Sequence, residues 1–281
     1  MVISRIVVKN HKPKKQIRRR TRKCKLTVNA PTQQTALSKL LCGDTPSHES
    51  GITEVLRHLS DSIDNVVRTV IQMDYTDSAK LALMAPFFAR SILELGSTAI
   101  LARLDPFRLL ILRESQKQPD YKIDKSHKSS IRWAGDILAD KVTNLWEDKA
   151  LQNPTRALLG AYFMELVWSP HFELMLDSVQ NINGDEWISE LRKKDSKRFC
   201  SELLSDFTSV YSELSKGIHH EFVIPITATF DESTIRELLR KVVFNISTLG
   251  LILSVVDYAA NPIATANAAI AYNQIQKMGL F

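Results

Sequence analysis

The spacing of apolar residues after residue 50 points strongly to helix. Ile52, Val55, Leu59, Ile63, Val66 and Val70 recur at steps of three and four, with Arg57, Asp61, Asp64 and Arg68 between them. Residues at those intervals share one helix face, so this is an amphipathic helix turned towards a core. The same period runs through "SAKLALMAPFFARSILELGSTAILARL", where Asp77 can cap the first turn. Pro86 is expected to kink that helix or end its first part. Glycine supports the same class: 9 residues in 281, well below the roughly 7% average. Glycine-rich phosphate loops and hairpin-dense β folds both need more.

The remaining segments extend the pattern. "RESQKQPDYKIDKSHKSS", 113–130, is polar, contains a proline and reads as a surface loop. "SIRWAGDILADKVTNLWEDKAL" is expected to resume the helical period until Asn153-Pro154, and "TRALLGAYFMELVW" to form a helix broken at Ser169-Pro170. After the Asn183-Gly184 turn, helices are expected from Glu186 and from about Ser196 towards Gly217. "VIPITATF", 223–230, has extended character, but Pro225 argues against a central strand. Asp231 can cap a long apolar helix ending near Ala260, and Asn261-Pro262 introduces an alanine-rich one. The longest apolar run, "VVFNISTLGLILSVV", is shorter than the roughly 20 residues of a membrane span and reads as a core helix. The fold class is therefore all-α: a helical bundle over 35–281 with a C-terminal helical extension, preceded by a basic, largely extended arm over 1–34.

The net charge of +6 conceals a sharp division. Of 37 basic residues, 12 precede the first acidic one, Asp44, leaving 25 against 31 acidic residues in the rest. An acidic body thus carries a basic arm, and such asymmetry speaks to partners rather than to fold. Lys12, Lys14, Lys15, Arg18, Arg19, Arg20, Arg22, Lys23 and Lys25 are the candidate phosphate contacts. The arm has no aromatic residue for stacking on bases, so it would position a nucleic acid without reading it. A targeting segment is the competing reading. Cys24, Cys42 and Cys200 have neither disulfide-framework nor zinc spacing. With no short apolar core behind a positive start, a secretory signal is not expected.

Candidate chemistry concentrates in "YSELSKGIHHEF", 211–222. If the helix ran through it, Glu213, Lys216 and His220 would share one stripe, and Ser212, Ser215 and His219 the next. If Gly217 stopped the helix, both histidines would lie on the following loop. Imidazoles beside a cation suit RNA cleavage without metal. A 2′-hydroxyl attacking its own phosphate needs a proton carrier and a positive charge for the developing phosphorane. A solvated helix end, where histidine is favoured by the dipole alone, fits the same residues. No Walker, dinucleotide-binding, zincin or nucleophile-elbow motif occurs in the chain.

The same stretch, late in an all-α chain, resembles the motif helix of the HEPN superfamily, whose members are commonly prokaryotic RNA-cleaving toxins and defence effectors. "FFARSILELGSTAILARLDPFRLL", 87–110, resembles the Arg-x3-Glu helix of HEPN-like families and adds Arg90 and Glu94 to the site. An internal ion pair that stabilises the helix is an equal reading of that pair. The resemblance spans roughly residues 50 to 260 as a pattern of helices, with specific residues only in these two segments. HEPN sites close with an Arg-x4-6-His motif, usually across a dimer interface. Here the nearest upstream arginine is Arg198, too distant, and Lys216 stands before the histidines instead. Lysine lacks the planar fork that grips phosphate bidentately.

Two functions follow as expectations. The first is a metal-independent ribonuclease, with His219 or His220 moving the proton, Lys216 stabilising phosphate, and Arg90 and Glu94 shaping the pocket. The second is a non-catalytic subunit that holds RNA or DNA through the arm within a defence complex. Either would act in the cytoplasm without cofactor or metal, on RNA rather than DNA by preference, as a homodimer or part of a larger assembly, and away from membranes. In a homodimer the motif helix would face its symmetry mate, with Val210 and Leu214 only partly covered by the chain's own core.

Overall fold

The computed structural model describes residues 34–44, 50–122, 129–140, 142, 144–180, 186–218 and 223–280. Among these there is no strand, only one isolated bridge between Ala134 and Leu138. Residues 1–33 of the arm, with every phosphate-contact candidate named above, lie outside the described residues, and so do His219 and His220.

Twelve helices are present among the described residues. They are α1 (Ala36–Cys42), α2 (Gly51–Ile71), α3 (Ser78–Leu104), α4 (Pro106–Lys117), α5 (Asp148–Gln152) and α6 (Ala161–Phe163), followed by α7 (Ser169–Ser178), α8 (Glu186–Leu191), α9 (Ser196–Lys216), α10 (Ile226–Thr229), α11 (Glu232–Ile252) and α12 (Thr265–Gln276). The caps expected from sequence form: Asp77 accepts from the Lys80 amide and Asp231 from the Thr234 amide. The central layer is α3, packed against α2 on one side and α11 on the other, with α9 spanning α3 and α11. The stretch Glu232–Val255 is long and apolar enough to cross a membrane by composition, and 78% of its most apolar window is buried in the bundle.

The short helix α1 had no counterpart in the sequence reading, yet it sits at the centre. Leu37, Leu40 and Leu41 are wholly buried, and α1 touches α2, α3, α11 and α12. Burial of each leucine stabilises the fold by about 1.5–3 kcal/mol. Gly250 of α11 leaves the room: a Cβ there would lie 3.0 Å from Leu40 Cγ. The buried Asp64 carboxylate anchors the start of α1, accepting from the Thr35 amide at 3.0 Å, the Thr35 hydroxyl at 2.6 Å and the Ser38 hydroxyl at 2.5 Å. The C-terminal helix is likewise part of this core and not an appendage. Tyr272 of α12 is fully buried, its hydroxyl 3.0 Å from that of Thr248.

Several boundaries differ from expectation. Pro86 does not end α3, which continues through it. The polar stretch from Arg113 begins as helix, because α4 runs to Lys117. Conversely, the segment around Trp133 is not helical. Ala134 is extended and Gly135 takes φ +98°, a left-handed value open to glycine. The Leu158 and Leu159 amides then donate to the Asp136 and Ile137 carbonyls at 2.9 and 2.8 Å, tying two loops together. Pro170 does not break its helix either. Met164–Trp168 forms a widened π-type turn, with right-handed geometry at Phe163, Met164, Trp168 and Ser169, which lets the chain absorb a residue that cannot donate. "ITAT", 226–229, is the short helix α10 and not extended chain. The long apolar helix stops at Ile252 before one 3-10 turn, short of Ala260, and α12 starts at Thr265.

Candidate functional site

Arg90 and Glu94 lie one turn apart on α3, and Tyr211 and Ser215 one turn apart on α9. Where the helices pack, these four side chains form one network. Arg90 Nε donates to Glu94 Oε1 at 2.8 Å, Nη1 to Ser215 Oγ at 3.2 Å, and Nη2 to the Tyr211 hydroxyl at 2.5 Å. Its guanidinium carbon also lies 4.3 Å from the centre of the Tyr211 ring, within cation–π range. The Ser215 hydroxyl donates back to the Tyr211 carbonyl at 2.7 Å.

Trp133 completes the cluster from the loop after α4. Its indole stacks on Tyr211 with centroids 4.0 Å apart and planes 6° from parallel. The loop is fixed in turn by buried Asp136, which accepts from the Arg132 amide at 2.8 Å and pairs with Arg108. Beside the stack is a cavity of about 110 Å³ lined by Glu94, Thr98, Ile131, Trp133, Ile137 and Tyr211. The Arg90 side chain is 21% exposed and that of Glu94 46%. The carboxylate is therefore open to solvent and cavity, whereas three of the arginine's donors are already engaged.

Lys216 is placed elsewhere. It is exposed in the last turn of α9 and lines a shallow groove of about 760 Å³ with Ser205, Thr208, Ser209, Ser212 and Glu213. It follows Ser215 by one residue, about 100° around the helix, so it points away from the Arg90 stripe. Of the five expected catalytic residues, the structure unites Arg90 and Glu94, separates Lys216, and leaves His219 and His220 outside the described residues. Val210 and Leu214 are 2% and 0% exposed within this chain, contrary to the expectation that a dimer partner would complete their burial. Tyr211 and Ser215 could have been found by asking what faces Arg90. Trp133 could not, because the segment around it carried a helical pattern.

Glycine is required at Gly217, where the helix ends, for a steric reason. Its backbone is right-handed, φ −70° and ψ −17°, so positive φ is not what requires glycine. A Cβ there would stand 2.4 Å from Pro86 Cβ and 2.8 Å from Pro86 Cγ. Proline on α3 and glycine on α9 thus form a close contact next to the Arg90 network. Gly217→Ala is expected to push the end of α9 outward at a cost of about 1–3 kcal/mol, read as a lowered midpoint in chemical denaturation. An unchanged midpoint would show that the contact relaxes freely.

No family model, curated protein or solved structure matches the chain.

Proposed function

We propose that the chain is a HEPN-like protein of a prokaryotic defence or toxin system that acts on RNA in the cytoplasm, as a metal-independent endoribonuclease assembled as a homodimer. One observation supports this reading above the rest. The two segments that resemble HEPN motifs, more than 100 residues apart in sequence, meet in direct hydrogen bonds from Arg90 to Tyr211 and Ser215. In this scheme His219 or His220 takes the proton from the attacking 2′-hydroxyl and Lys216 supplies positive charge to the phosphate. Arg90, largely spent on Glu94, Tyr211 and Ser215, is a positioning residue that holds the end of α9. Around that end Ile218, Val223 and Ile224 are 41%, 92% and 52% exposed and offer apolar surface for a symmetry mate.

The test is induced expression with total RNA profiling, comparing wild type with a His219→Ala/His220→Ala variant. The wild type is expected to leave new RNA ends and slow growth, and the variant neither. Identical RNA and growth under conditions that trigger the wild type would overturn the nuclease reading. A second reading, a non-catalytic subunit that binds nucleic acid through its arm, is favoured by one specific feature: Lys216 lies on a different face of α9 from Tyr211 and Ser215, the residues that meet Arg90. That reading predicts RNA association without cleavage.

A further inference from the structure

A second cavity lies between α2 and α4, with a volume of about 590 Å³, within the usual range of small-molecule sites. Leu59 and Leu109, 8% and 5% exposed, form its inner wall, with Val55, Leu112 and Ile131 beside them. Thr98 and Ile131 line both this cavity and the small one beside Glu94, so the two adjoin. One rim is made by Ser129, tied down by a 2.7 Å contact between its hydroxyl and that of Ser115 and by Gln116 Nε2 donating to its carbonyl at 2.6 Å.

The other rim carries the charge. Arg113 and Lys117, one turn apart on α4, converge on a single oxygen of Glu54 across the gap from α2. Arg113 Nε reaches Glu54 Oε2 at 2.9 Å and Lys117 Nζ reaches it at 3.1 Å, with Arg113 Nη2 also in contact. These donors hold the Glu54 carboxyl below its ordinary range. The charged lining residues are thus two cations and one anion, and the anion is the most exposed of the three. The Glu54 side chain is 53% exposed while that of Arg113 is 21%. An exposed ion pair of this kind contributes little to stability, so Glu54 can swing out at small cost. With Arg113 Nη1 paired to Glu114, this would leave the Nε–Nη2 edge of the guanidinium and an ammonium facing an apolar chamber, a geometry suited to carboxylate, sulfonate or phosphate oxygens.

We propose that this cleft binds a small organic anion with an apolar body, whose acidic group displaces Glu54 from Arg113 and Lys117 while its body lies against Leu59 and Leu109. Glu54 occupies the place that the ligand's acid would take on Arg113 and Lys117. The assignment is independent of RNA cleavage and of the two histidines.

The full-length chain is titrated by fluorescence with 8-anilino-1-naphthalenesulfonate, and in parallel with N-phenyl-1-naphthylamine, the same aromatic body without the sulfonate. Glu54→Gln is expected to tighten the sulfonate probe about fivefold, and Arg113→Gln/Lys117→Gln to weaken it about tenfold, on the scale that roughly 1.4 kcal/mol is one decade. The uncharged probe should move less than about twofold in either variant. Equal sulfonate affinity in wild type and a double variant with native circular dichroism would overturn the proposal. So would weaker binding in Glu54→Gln, which keeps both cations and alone decides the matter if the double variant fails to fold.

Discussion

Deleting residues 1–25 is expected to abolish most of the salt-sensitive affinity for RNA while leaving the body folded. Eleven basic residues precede Leu26, and the arm holds no acidic side chain to neutralise them. If about six contact duplex phosphates, log affinity should fall against log salt with a slope of about −5, and less steeply on single strands. Raising salt from about 50 to 200 mM would then cost the intact chain about a thousandfold in affinity. The truncated chain should show a nearly flat slope and an equal loss on unrelated sequences, because phosphate contacts carry no sequence information. The body should survive because, among the described residues, the contacts that anchor its start lie beyond the deletion, with Thr35 and Ser38 on Asp64. Unchanged affinity and slope after deletion would assign the arm to targeting or to an acidic protein partner.

Replacing Arg103 by alanine is expected to destabilise the body by about 3–5 kcal/mol, combining a cavity with orphaned carbonyls. Arg103 is fully buried at the end of α3. Its Nε donates to the Ala260 carbonyl at 2.9 Å and its Nη1 to the Leu40 carbonyl at 3.1 Å, joining α3, α1 and the turn before α12. Its own carbonyl accepts from the Ala260 amide at 2.8 Å, a bond that any substitution preserves. Burial pushes the guanidinium down to about 10. Folding therefore disfavours the charged form at neutral pH, and that penalty eases only as pH rises above about 10. Arg103→Met keeps the volume and removes the buried charge while still abandoning two carbonyls, so about 2–3 kcal/mol is expected. Denaturant unfolding of both variants gives the comparison. Losses below about 1 kcal/mol in both would mean that other groups can satisfy those carbonyls.

The periodic helices were legible because their information is local. In α2, α3, α9 and α11 the three-and-four spacing repeats over many turns, and Asp77 and Asp231 mark starts through their own side chains. Where a segment's state depends on distant neighbours, the sequence misled or was silent. Trp133–Ile137 has a helical pattern but follows Gly135, Arg108 and the Leu158–Leu159 backbone instead. Pro170 looked like a stop because the widened turn that accommodates it leaves no sequence mark.

The site divides along the same line. The sequence by itself determined that the chain is all-α, that charge is segregated into a basic start and an acidic remainder, and that Arg90 and Glu94 share one helix face, since i and i+4 on a helix are neighbours. Only the tertiary structure decided that Arg90 is shared with Tyr211 and Ser215, that Trp133 covers Tyr211, and that Lys216 faces another groove. It alone made Gly217 a contact for Pro86, and placed α1 at the centre of the core. Each of these rests on contacts between residues far apart in sequence. A pattern read over one or two helical turns carries no information about which face of a distant helix will meet it.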